Sequence, residues 1–151
     1  MAEIIPYHHR YAAQFKKLNL EWLDEYHLTE DHDLMILNDP QREILDQGGE
    51  IYLAKESDEI VGTAAIINEG NGVYELAKMS VAPRYQGRGI SRLLMEQCLN
   101  RAKELHAVKV ILFSNSQLTT AISLYEKYGF KHLPADNAPY QSADIMMELV
   151  F

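Results

Sequence analysis

The sequence is poor in several things that would direct its reading elsewhere. It has one cysteine, Cys98, in 151 residues. A lone thiol cannot close an internal disulfide, which fits a reducing compartment and excludes a disulfide-stapled fold. The six histidines, His8, His9, His27, His32, His106 and His132, show no metal-ligand spacing and have no cysteine pair beside them, so no metal is expected. No stretch approaches the unbroken apolar length of a membrane span. Met1-Ala2-Glu3-Ile4-Ile5-Pro6 lacks a basic region followed by an apolar one, so a cytoplasmic chain with no membrane partner is expected. Positive charge is scarce as well. The chain has 14 Lys and Arg against 22 Asp and Glu, a formal charge of −8 with the basic residues scattered, which argues against nucleic acid as a partner. An acidic surface instead favours the approach of cations such as amines. There is no internal repeat and no low-complexity stretch.

What remains is an ordinary globular composition, 47% hydrophobic and 24% charged, in a chain long enough to bury a core. One domain over residues 1–151 is expected. Periodicity predicts a helix over residues 11–26, with Phe15, Leu18, Trp22 and Tyr26 on one face. The acidic residues 29–33 should break it, and a shorter helix should run from Asp39-Pro40 to Gly48-Gly49. Strands are predicted over 51–55, 60–67 and 73–81, joined by hairpins. A helix carrying Ile90, Leu94, Cys98 and Ala102 on one side leads to a buried strand over 108–113, a crossover that makes its two strands parallel. A helix over 119–128 stopped by Gly129, a strand over 130–133, a loop over 134–142 and a strand over 144–150 complete the order.

The stretch from Met79 to Ser91 reads as a buried strand running into a glycine-punctuated loop that opens a helix. Gly87 and Gly89 let the backbone approach an anion. The helix does not need the N–H groups from Gln86 to Ser91, and its dipole favours negative charge there. A phosphorylated cofactor is expected. A dinucleotide fingerprint would need a third glycine at Arg92, and a P-loop would need Lys-Ser/Thr where Ile90-Ser91 stand. Arg84-Tyr85-Gln86-Gly87-Arg88-Gly89 instead resembles the Arg/Gln-x-x-Gly-x-Gly/Ala coenzyme A pyrophosphate loop of the GCN5-related N-acetyltransferase (GNAT) family. Ala121-Ile122-Ser123-Leu124-Tyr125-Glu126-Lys127-Tyr128-Gly129-Phe130 resembles that family's Ala-x-x-Leu-Tyr-x-Lys-x-Gly-Phe segment, and the element order matches along the whole chain. The resemblance implies an α/β (α+β) fold, with a mixed sheet of about six to seven strands flanked by about four helices. It also implies acetyl-CoA as cofactor and direct transfer of acetyl to a primary amine, a small molecule slightly preferred over a peptide. The alternative is a non-catalytic acyl-CoA-binding regulatory module. Members of the family often form homodimers.

Carried over residue by residue, the resemblance makes Tyr125 the acid that protonates the departing thiolate; the other reading is a core aromatic beside Ile122 and Tyr128. Alternation through Glu75, Ala77, Met79 and Val81, with no bulge in the register, puts a carboxylate on an otherwise apolar strand face. An amine with a pKa near 10.4 is roughly 99.9% protonated at neutral pH, so transfer needs a base. Two readings stand equal for Glu75: that base, or an ion-pair partner of Lys78 or Arg92. Backbone N–H groups at Met79, Ser80 and Val81 are expected to face the pantetheine and the acetyl oxygen. The loop residues Arg84, Tyr85, Gln86, Gly87, Arg88, Gly89, Ile90 and Ser91 are expected around the pyrophosphate, with Arg84 and Arg88 either adding charge or simply solvated. Many members have asparagine where this chain has Leu118; Asn115, three residues earlier, contacts the cofactor, fixes the loop or is a plain turn residue. Trp22, Tyr26, His27, Tyr74 and Tyr140 are the acceptor-pocket candidates, with core packing as the other reading.

Overall fold

The computed structural model describes residues 1–136 and 138–151. Seven strands form one sheet: β1 (Glu3–Pro6), β2 (Glu50–Glu56), β3 (Glu59–Gly70), β4 (Val73–Val81), β5 (Lys109–Ser114), β6 (Lys131–Leu133) and β7 (Ile145–Val150), in the order β1-β2-β3-β4-β5-β7-β6. Every neighbouring pair is antiparallel except β4 and β5. The helices are α1 (Ala12–Glu25), α2 (Asp31–Asn38), α3 (Pro40–Glu43), α4 (Ile90–Glu104) and α5 (Thr119–Lys127). This is the mixed sheet of about six to seven strands that the resemblance implied, flanked by five helices where it implied about four. Among the described residues no helix is long and apolar enough to cross a membrane.

Alternation along the central strands builds two cores. Tyr52, Ala54, Ala64, Ile66 and Leu76 pack on one face with Leu94, Met95 and Cys98 of α4. Ile51, Leu53 and Ala65 pack on the other with Phe15 and Leu18 of α1 and Ile36 and Leu37 of α2. Burying both faces explains why β3 reads as a nearly continuous apolar run.

Four features depart from the expected order. β1 has no counterpart in it; this strand pairs Ile4 with Ala54 at the sheet edge. The first helix ends before residues 29–33 as expected, but that segment also starts α2, because Glu30 and Asp33 form a capping box, with the Glu30 N–H donating to Asp33 Oδ2 at 3.0 Å. The helix expected from Asp39-Pro40 lasts one turn, Pro40–Glu43, and Leu45–Gln47 is a separate 3-10 turn. The register of β4 also carries a bulge. Thr63 pairs with Ser80 and Ala65 with Ala77, so one extra residue, Lys78, sits in β4 at φ +52°. The bulge overturns the single-face alternation of Glu75, Ala77, Met79 and Val81. Met79 and Val81 turn to the α4 side with Leu76, whereas the Ser80 hydroxyl donates to the Leu18 carbonyl of α1 at 2.8 Å.

Candidate active site

β4 and β5 pair only from Val73 to Glu75, opposite Lys109 to Ile111, and then part. The N–H and C=O groups of β4 beyond Glu75 lose their partners on that side, and a cleft of about 760 Å³ opens between the strands, within the range of small-molecule sites. One end of the cleft is the start of α4, the other the space beneath α1, α2 and the loop before β7, and α5 forms a wall.

At the first end Gly87 and Gly89 take φ +78° and +80°, a conformation glycine adopts without cost, and a Cβ at either would meet nothing within 4 Å. No side chain caps α4, whose first backbone bond runs from Leu93 N–H to the Gly89 carbonyl. Ile90, Ser91 and Arg92 therefore present unpartnered N–H groups to the cleft, at the positive end of a 15-residue helix. Such a cradle fits a pyrophosphate. Tyr85, Gln86, Gly87, Gly89, Ile90 and Ser91 all line it, and the Gln86 amide donates to the Val81 carbonyl at 3.1 Å, tying the loop to its strand. Of the three local arginines only Arg92 lines the cleft. Arg84 is bidentate to Glu59 at 2.5 and 2.6 Å, Arg88 approaches Glu56 at 3.7 Å, and both guanidinium groups stack on the Tyr85 ring. These cations brace the loop against the β2–β3 hairpin.

At the other end Glu75 is 3% exposed. Burial and then the charge of Glu69 push its pKa up to about 8, although Lys78 pulls the other way; the Tyr140 hydroxyl lies at 3.5 Å. Among the described residues neither Lys78 nor Arg92 forms an ion pair with Glu75, and Lys78 Nζ goes to Asp33 of α2 at 2.6 Å. Tyr140 packs against His32 and Phe113, and the Lys78 ammonium sits 5.2 Å over its ring. The loop bearing Tyr140 is latched to the N-terminus of α2. The Glu30 carboxylate accepts from the N–H groups of Gln141 and Ser142, each at 2.8 Å, and from the Ser142 hydroxyl. Burial alone would raise the pKa of Glu30, but these bonds from Ser142 and Gln141 outweigh it and hold the carboxyl below its ordinary range. Asn115 fixes the same loop, donating to the Ser142 carbonyl at 2.7 Å.

Tyr125 lines the cleft, with its ring edge-to-face on Phe130 and no hydrogen-bond partner for its hydroxyl among the described residues. Burial pushes its pKa up to about 12. Met79, Ser80, Val81, Trp22 and Tyr26 also reach the cleft, and the buried Trp22 indole N–H has no partner among the described residues. Two pocket candidates do not reach it. Tyr74 faces the α4 core because alternation turns it away from Glu75, and His27 sits exposed in the turn after α1 at φ +57°. Sequence reasoning misses Asp33 and its pairing with Lys78, which it offers only as a partner of Glu75. Their only signal there is a lysine inside an apolar strand run and an acid in a segment that reads as a break.

These features belong together in a known family. Residues 13–130 match the Acetyltransferase (GNAT) family, and the chain belongs to it. It is an N-acetyltransferase by family, with acetyl-CoA as co-substrate and amines as acceptors. It is 29% identical to the uncharacterized N-acetyltransferase YvbK of Bacillus subtilis over 119 residues, 77% of this chain and 76% of that protein. Its fold is that of a GNAT-family acetyltransferase from Staphylococcus aureus, with TM-score 0.88 and 21% identity over 99% of each chain. It is also that of the PaiA N-acetyltransferase of Thermoplasma acidophilum in complex with coenzyme A, with TM-score 0.80 and 17% identity over 100% and 99% of the chains.

Proposed function

We propose that this chain, acting as one domain over residues 1–151, transfers acetyl from acetyl-CoA directly to the primary amine of a small molecule, with Glu75 as base and Tyr125 as acid. The observation that carries this reading is one cleft joining the bare amides of α4 to a buried carboxylate with a raised pKa. Glu75 takes the proton of the acceptor ammonium and frees its lone pair to attack the acetyl carbonyl. A backbone N–H of β4 between Met79 and Val81, on the side that β5 leaves after Glu75, meets the negative charge developing on the carbonyl oxygen. Tyr125, held protonated by its raised pKa, donates to the departing sulfur. Direct attack needs no enzyme nucleophile, and Cys98 is fully buried on the core face of α4 with its thiol pushed up, chiefly by that burial. Preference for a small acceptor rests on the enclosure of Glu75 by α2 and the latched loop, which leaves little room for a polypeptide.

Calorimetric titration with acetyl-CoA, followed by an amine screen read as steady thiol release, tests the reading. One-to-one binding and amine-dependent release are expected. Binding without release for any amine favours a non-catalytic acyl-CoA-binding module, and no binding at millimolar ligand removes the cofactor assignment. Tyr125→Phe should lower kcat about 10- to 100-fold while leaving acetyl-CoA affinity nearly intact. An unchanged rate across pH would remove Tyr125 from the mechanism.

A further inference from the structure

Lys78 is a lysine in the interior of a central strand, and several parts of the fold converge to keep it there. Among the described residues it is the one non-glycine residue with positive φ that is also buried; the other four, His27, Ser57, Asn71 and His106, are exposed. Backbone in that region is strained for a side chain with a Cβ. The Thr63 hydroxyl donates to the Lys78 carbonyl at 2.7 Å, and Asn19 of α1 donates to that hydroxyl at 3.0 Å, so the bulge is held from β3 and α1. The ammonium is held from α2 by Asp33, with the two side chains 5% and 4% exposed. A buried ion pair is a poor way to gain stability, since well-packed apolar groups would do as well or better. Its place, three residues after Glu75 and in the same cleft, suggests a different use.

We infer that the Lys78–Asp33 pair is a strut that ties α2 to the β4 bulge, in which Lys78 favours the ionised form of Glu75 and Asp33 offsets the lysine's charge, making Lys78 and Asp33 positioning residues for deprotonation of the acceptor. This inference rests on the reading of Glu75 as the base. Three ionisable groups act on Glu75, namely Glu69 at the end of β3, Lys78 on its own strand and Tyr140 on the latched loop, while Asp33 of α2 lines the same cleft and holds Lys78. Glu69 and burial oppose its ionisation; Lys78 is the one cation that favours it, with a smaller contribution from the Tyr140 hydroxyl. An uncompensated lysine would, however, repel an incoming ammonium. Asp33, at 2.6 Å from the ammonium, offsets that repulsion, while the lysine's charge still favours the ionised form of Glu75.

The test is the titration midpoint of the Glu75 carboxyl carbon, followed by carbon-13 NMR in the full chain without cofactor. Lys78→Gln should raise the midpoint by about one pH unit, Asp33→Asn should lower it by a similar amount, and the double variant should return it toward wild type. The acid limb of kcat/KM should move with the midpoint in each case. Lys78→Arg, which keeps the charge, should leave it in place. If Lys78→Gln folds poorly, Asp33→Asn carries the test, and a midpoint that it leaves unmoved overturns the strut. A midpoint unmoved by Lys78→Gln, or moved as far by Lys78→Arg, overturns the strut. Glu75→Gln separates this from the functional reading: wild-type kcat with its acid limb intact would remove Glu75 from the chemistry without touching the carbon-13 result.

Discussion

At the scale of single residues, the site depends on a carboxylate placed where it resists ionisation. With the pKa of Glu75 pushed up to about 8, kcat/KM should rise with pH and level off above that value, because the base works only when ionised. Glu75→Gln should lower kcat/KM about 100-fold or more at pH 8 and remove that limb, read from initial rates between pH 6 and 10. The same residue affects stability with a definite sign. A carboxyl whose pKa is raised on folding supports the fold at low pH and loses that support as pH climbs through about 8, each tenfold change in its acid dissociation constant being worth about 1.4 kcal/mol. Glu75→Gln should therefore raise Tm more at pH 9 than at pH 5. The identity of this carboxylate was legible in the sequence, since alternation put it on a buried face. Its neighbours were not. A bulge leaves no periodic trace, so Lys78 reads only as a candidate ion-pair partner of Glu75 and Asp33 as part of a polar break.

Among the elements, the loop before α4 and the start of α2 do separate work. The loop needs positive φ at Gly89, and open space around its Cα means that an alanine there meets conformational strain rather than a clash. Gly89→Ala should cost about 1 kcal/mol of stability and weaken acetyl-CoA roughly 10-fold, measured by calorimetry, because the strained residue adjoins the amides that face the anion. Glu30 caps α2 and latches the far loop at once. Glu30→Ala should raise KM for the amine about 10-fold and leave acetyl-CoA affinity unchanged; equal losses in both would show that the latch shapes the whole cleft. The elements themselves were largely readable. Central strands, α4, α5 and the glycine loop carry strong periodicity or turn chemistry. α2 escaped because its cap is made of the acidic residues that look like a helix breaker, and β1 because four residues at a sheet edge take their conformation from pairing with β2.

For the whole molecule, a ligand that spans the parted strands should be felt globally. At 100 times its Kd, acetyl-CoA should add about 2.7 kcal/mol to stability and raise Tm by roughly 5 to 10 °C in a thermal scan. Fold order and cofactor end followed from contiguous sequence, since the donor loop and the strand and helix around it lie within residues 73–104. The acceptor end did not, because it joins residues far apart in the chain. The latch between Glu30 and Gln141 spans 111 positions. During synthesis, then, the cradle for the acyl donor can take shape while the last third of the chain is still unmade, whereas the acceptor pocket must wait for the final loop to dock. The protein gains the means to hold its donor before it gains any preference for a recipient, and a change confined to the two latched segments can give it a new recipient while the donor half is inherited intact.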